Sequence, residues 1–208
     1  LTGLSQSTAL PLNEQRFGDS LQKILNSTMP DSMRANAGFL LSNFWYRKDS
    51  AKGAAYLEQG RQLSKGNPFL QSVYFFYLGN FQSISNLEFS ASSFMKADSL
   101  LKKFSTKEAF VFRSKVWHNY GAIQQMKDDN EYFADILLEK AIPFAIKGGD
   151  SVYLGKNYFD LGLAFTNTLQ FAKAEDVWQK AIQIFNKVNA PKEHLMDVYN
   201  LSAQNYIE

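Results

Sequence analysis

The stretch GKNYFDLGLAFTNTLQFAKAEDVWQKAIQIFNKV, from Gly155 to Val188, decides the fold. Its apolar and small residues fall as Tyr158, Leu161, Gly162 and Phe165, then as Ala174, Trp178 and Ala181, with a polar turn around Gln170 between the sets. Residues three and four apart are neighbours on a helix, so each set lines one face of its own helix. The stretch reads as a helical hairpin.

If the hairpin is one unit of a repeat, copies must recur in the same register. Positions equivalent to Gly162 fall at Leu41, Gly79 and Gly121, in steps of 38, 42 and 41 residues. Positions equivalent to Ala174 fall at Gly53, Ala91 and Ala134, in steps of 38, 43 and 40. The offset between the two series is 12, 12, 13 and 12 residues, although different side chains define each. The rest of the second-helix pattern recurs as Leu57 with Gly60, Met95 with Asp98, Leu138 with Ala141, and Trp178 with Ala181.

On these residues the chain resembles the tetratricopeptide repeat (TPR) family. Helix A of that family reads aromatic, x, x, Leu, Gly, x, x, aromatic, and its helix B reads Ala, three others, a large aromatic, two others, Ala. The resemblance implies an all-α fold, a TPR-like right-handed superhelix of antiparallel helix pairs, or α-α solenoid. The steps exceed the roughly 34 residues of the standard repeat, so longer helices or connections are expected. Asp98 stands where a small residue is wanted. Pro143 falls inside the third helix B, which it should kink or end, because proline lacks the N–H and clashes one turn back.

The expected organisation is a single solenoid over residues 13–208. It has a capping helix at 13–27, helix pairs at about 32–66, 68–105, 107–148 and 150–189, and a partial fifth unit at 191–208. Phe17, Leu21, Ile24 and Leu25 give the capping helix its apolar face, and Leu195, Val198, Tyr199, Leu201 and Tyr206 mark the fifth helix A. With no helix B after it, the chain reads as a fragment of something longer. Residues 1–12 read either as a disordered terminus or as the remnant of a secretory signal. Gly79, Gly121 and Gly162 share one register, and glycine inside a helix costs ~1 kcal/mol relative to Ala. The expectation is that they let the backbones of helices A and B approach.

Composition narrows the function classes. Hydrophobic residues make up 45% and charged residues 20% of the 208, which is enough apolar surface for a core and far from the signature of disorder. Net charge is +2 with a pI near 8.6, and no run of like charges reads as a nucleic-acid arm or polybasic patch. Nucleic acid is therefore not the expected partner. The longest strongly apolar run, Val73 to Leu78, is far below the ~20 residues of a spanning helix, so no membrane contact is expected from this segment, although its parent chain can still be membrane-anchored. There is no cysteine, which removes disulfides, thiol nucleophiles and Cys-ligated metals.

No Walker loop, G-x-G-x-x-G, G-x-S-x-G or H-E-x-x-H occurs. The two histidines, His118 and His194, fall on different repeats and suggest solvated helix-surface residues, not metal ligands. Asp128, Asp129 and Glu131 cluster in a predicted inter-helix turn, where capping is the expected role. Neither a cofactor nor a metal is called for, and the expectation is a protein that is not an enzyme.

The resemblance also implies where a partner binds, because helix A lines the concave face in TPR proteins. Carrying over the register gives Trp45, Tyr46, Phe76, Asn80, Lys115, His118, Asn119, Gln125, Lys156, Phe159, Asp160 and Asn167 as groove candidates. Lys115, Asn119 and Lys156 resemble part of the carboxylate clamp some TPR modules use for a peptide C-terminus, with Asp160 out of place there because it repels an anion. Trp45, Tyr46, Phe76 and Phe159 are the candidate aromatic anchors, with burial in the core as the competing role. The segments DSLQKILN (residues 19–26) and DSMRANAGFLLS (residues 31–42), joined to the long repeats, resemble the N-terminal regions of bacterial signalling proteins. Two readings stay open: a protein-binding or sensor module of such a protein, with an extracytoplasmic location preferred, or a cytoplasmic scaffold binding a peptide or helix in its groove.

Overall fold

A computed structural model describes residues 14–205, and among them the backbone is helix and turn with no strand. The expectations for residues 1–12 and for Tyr206 lie outside the described residues. The helices fall into two compact units, one within residues 14–104 and one within residues 105–205.

The first unit holds α1 (Glu14–Leu25), α2 (Asp31–Trp45), α3 (Ser50–Leu63), α4 (Pro68–Gln82) and α5 (Leu87–Leu101). The second holds α6 (Lys107–Gln125), then α7 (Asn130–Ile136), a π-helical turn (Leu137–Ala141) and α8 (Ile142–Gly148) in one run, then α9 (Ser151–Asn167), α10 (Phe171–Lys187) and α11 (Lys192–Asn205). Short polar side chains start the helices by accepting backbone N–H groups that have no intrahelical partner. Asp49 caps α3, Asn67 α4, Asn86 α5, Thr106 α6, Asp129 α7 and Asp150 α9, at 2.9 to 3.2 Å. Within the acidic cluster, Asp129 is thus a cap, while Asp128 takes the left-handed turn position at φ 64°.

Each pair closes through its signature residues, but two registers differ from the sequence expectation. In the second pair Ser90, Phe94 and Ala97 of α5 are buried, each one position before Ala91, Met95 and Asp98, of which Ala91 and Met95 are half-buried and Asp98 is itself buried. Ser90 donates to the Gly79 carbonyl at 2.7 Å. Ala97 therefore fills the small-residue position, and Asp98 sits beside it with Lys102 3.1 Å away. In the third pair Phe133 and Leu137 are buried while Leu138 is 46% exposed. Pro143 does not end this helix: the preceding π turn absorbs one extra residue, and the Ile142 N–H bonds back to the Leu137 carbonyl. That wider turn returns Ala141 to the core at 0% exposure.

The shared glycines also act differently from expectation. A Cβ at Gly79, Gly121 or Gly162 would stand 2.6, 2.6 or 2.1 Å from Phe94, Phe133 or Trp178, so each glycine makes room for an aromatic side chain, not a backbone. Backbone approach occurs in the first pair instead, where a Cβ on Gly38 would meet the Gly60 nitrogen at 3.0 Å and one on Gly53 the Tyr46 Cα at 2.9 Å.

Candidate functional site

In the first unit, α1, α2 and the start of α3 enclose a cleft of about 370 Å³ whose walls include Gly18, Gln22, Phe44, Trp45, Lys48 and Lys52. Phe44 packs edge-on against both Phe17 and Trp45, at 6.2 and 5.2 Å between centroids. Lys52 lies 3.5 Å above the Trp45 ring and Lys48 4.0 Å above that of Phe44, while Lys48 also pairs with Glu14. Stacking of ammonium on ring faces is favourable at a half-exposed surface by ~0.5–1 kcal/mol. The indole N–H of Trp45 is buried without a hydrogen-bond partner.

Two of the predicted anchors in the first unit are core. Tyr46 and Phe76 are both 6% exposed. The Tyr46 backbone packs against Gly53, and burial lifts its phenol above the usual range against the pull of Arg47. Phe76 packs on Phe94 at 6.1 Å. The register read from sequence gave both as groove residues, whereas the structure places them on the seam between paired helices, which an aromatic stripe cannot distinguish from a groove. Asn80 accepts no such burial but reaches across to α2, donating to Asn43 at 3.2 Å.

The second unit gathers most of the other candidates. Gln125 and Asn167 both donate to Asn130, at 3.2 and 2.8 Å, and so tie the end of α6 and the end of α9 to the start of α7. Asn119 is half-buried on α6 and Phe159 is half-buried on α9, packed against the unit's core. Lys115 on α6 and Lys156 on α9 approach one ring, that of Tyr153, with their ammonium groups 5.4 and 5.9 Å from its centroid. Burial pushes Lys115 below the usual lysine range, opposed by Asp150, and pushes Lys156 down to about 8, opposed by Asp160. Burial likewise raises Asp160, against the pull of His118 and Lys156.

His118 is not the solvated surface residue the sequence suggested, being 6% exposed. Its Nδ1 lies 2.7 Å from Asn157 Oδ1, and its Nε2 lies 3.3 Å from Asp160 Oδ2. Although close, that carboxylate oxygen is off the hydrogen-bonding line and is buried without a hydrogen-bond partner. Asn157, at 0% exposure, in turn donates to Ser114, and Ser114 donates to the Ala141 carbonyl at the end of the π turn. Sequence reasoning passed over Ser114 and Asn157 because neither belongs to a motif; their only signal was a polar residue on a helix face that otherwise reads as core. Among the described residues no group of three or more His, Asp and Glu is placed to hold a metal ion, and no helix is long and apolar enough to cross a membrane.

No family model matches the sequence, and no curated protein matches it. Solved structures do share the fold. The apo form of RapI superposes with a TM-score of 0.65 at 12% identity, over 83% of this chain and 64% of that one. A Rap protein complexed with Competence and Sporulation Factor gives 0.66 at 13% identity, over 91% of this chain and 56% of that one. BtubC (BKLC) from P. vanneervenii gives 0.59 at 16% identity, over 86% and 74%. The chain thus spans 64% and 56% of the two Rap chains it resembles, and the likeness establishes the fold as an all-α helical-repeat solenoid.

Proposed function

We propose that this chain is a non-catalytic interaction module that binds a protein or peptide through helix-A residues of its second unit, as the ligand-binding part of a larger bacterial signalling protein. The observation that carries this reading is the convergence of Lys115 and Lys156 on Tyr153. Two ammonium groups held near each other with reduced hydration repel; Asp150 acts on both and Asp160 on Lys156, yet burial still holds both lysines below their usual range, so a further anionic group that both can reach would favour their charged forms. A carboxylate of a peptide has that chemistry, and half-buried Asn119 and Phe159 on the same two helices supply an amide and an apolar contact nearby. A Rap structure of this fold holds Competence and Sporulation Factor, which supports a signalling ligand for the present chain as well.

A photocrosslinking residue at Asn119 tests the reading against one at Lys180, which is exposed on α10. The expected result is a partner captured from Asn119 and lost when Lys115→Ala is added to a folded variant. Capture from Lys180 alone, or capture indifferent to Lys115, would move the binding surface to the B helices.

A further inference from the structure

In the first unit, two side-chain contacts from α1 cross to the segment that leads into α3 and to α3 itself, and they share one spacing. Lys48 donates to Glu14, and Gln22 donates to the Tyr56 hydroxyl at 2.5 Å; the partners are 34 residues apart in both. Glu14, Gly18 and Gln22 follow one another at four-residue steps on one face of α1, and Lys48, Lys52 and Tyr56 follow at the same steps opposite. The middle rung of this ladder is therefore Gly18 against Lys52, and glycine has no side chain with which to reach across. Both residues line the cleft of about 370 Å³ between α1, α2 and α3, a size in the range that takes a small molecule.

Packing does not explain this glycine. A Cβ there would meet only the Phe44 ring, at an ordinary 3.7 Å, and glycine is the poorest helix former after proline. What its absent side chain leaves is room beside Lys52. The charges bordering that room are unmatched. The half-exposed Lys52 ammonium lies 3.5 Å over the Trp45 ring with no carboxylate partner among the described residues. Asp19, next to Gly18 in the cleft wall, is exposed and has neither an ion pair nor a hydrogen bond among them.

We propose that this cleft binds a free amino acid with a large apolar side chain, its carboxylate on Lys52, its ammonium on Asp19 and its side chain against Phe44 and Trp45. A plain carboxylic acid would face Asp19 uncompensated and a plain amine would face Lys52, whereas a zwitterion matches both. The aromatic walls supply the apolar contact. The Glu14–Lys48 and Gln22–Tyr56 rungs close the site at its two ends along α1, so a peptide has no path to continue in that direction and a ligand of one residue fits better. Only first-unit residues are used, so this site is independent of the reading given for Lys115 and Lys156.

The experiment is a nitrogen–proton NMR titration of the full chain, read at the indole N–H of Trp45. The probes are L-phenylalanine and L-leucine, with 3-phenylpropanoate, which lacks the ammonium, phenethylamine, which lacks the carboxylate, and the dipeptide phenylalanyl-alanine. Expected is a saturable shift with the two amino acids and binding at least ~10-fold weaker for the other three. Lys52→Met should weaken phenylalanine binding by the same order. Gly18→Gln fills the middle rung, so it should unfold no more easily than wild type and lose the response to phenylalanine. No saturable response to either amino acid would overturn the proposal, as would undiminished binding in Lys52→Met or Gly18→Gln. Equal binding of 3-phenylpropanoate or of the dipeptide would overturn it too, in favour of a plain acid or a peptide end. Should Gly18→Gln not fold, Lys52→Met, altered at a half-exposed side chain, decides alone.

Discussion

The indole nitrogen of Trp178 occupies the space that a side chain at Gly162 would need, since a Cβ there would stand 2.1 Å from it. That nitrogen donates to the Phe159 carbonyl at 3.0 Å and so closes α9 onto α10. Gly162→Ala must push the ring out of its hydrogen bond, and overpacking with a lost buried bond costs roughly 2–4 kcal/mol. Gly18 on α1 is the contrast, because its Cβ would meet only Phe44 at an ordinary 3.7 Å. Gly18→Ala should stabilise the chain by ~0.5–1 kcal/mol through helix propensity. Urea unfolding of both variants checks the pair, and equal shifts would contradict the geometry.

The register found in α5 gives a second test. Phe94 is 1% exposed and lies against Gly79, whereas Met95, the residue the repeat pattern favoured, is only half-buried. Phe94→Ala should cost ~3–5 kcal/mol and Met95→Ala markedly less, because only the first empties a filled space. A larger loss at Met95, measured by the same unfolding experiment, would restore the sequence register.

The particular failures show what was readable. Trp178 and Gly162 were legible because the fourth pair keeps every signature residue at its standard spacing. Phe94 and Met95 are both large and apolar, and so are Leu137 and Leu138; a periodic pattern cannot choose between adjacent apolar residues when the spacing itself varies. The π turn removed the remaining cue by adding a residue inside the helix. At the candidate site, Lys115 and Lys156 were read together because repeat geometry places them on successive A helices. The His118, Asn157 and Ser114 chain was not, because its meaning lies in which atom donates to which, and only coordinates supply that.

Leu169 holds the left-handed turn after α9 at φ 59° with 75% of its surface exposed. Asp128 and Asn189 take corresponding turns with residue types that tolerate this region, but leucine does so at a cost of ~1–2 kcal/mol. Leu169→Asn should therefore raise the unfolding free energy by up to ~1 kcal/mol, since no buried contact is lost. A destabilised variant in thermal or urea melts would mean that the leucine side chain packs on something that its exposure does not reveal.

Lys156 gives stability a pH dependence of its own. Burial holds its ammonium at about 8, below the ordinary 10.5, against the attraction of Asp160. A lowered lysine means that the folded chain binds fewer protons than the unfolded one between those values, so this residue's contribution to stability improves as pH rises from about 8 to 10.5. Below that window the charged form is carried at a penalty. Lys156→Met keeps the length of the side chain and removes the titration, so the rise in urea midpoint across this window should vanish from the variant. If wild type and variant instead keep the same slope from pH 8 to 10.5, the ammonium is hydrated in the folded chain, and its approach to Tyr153 does not come from burial.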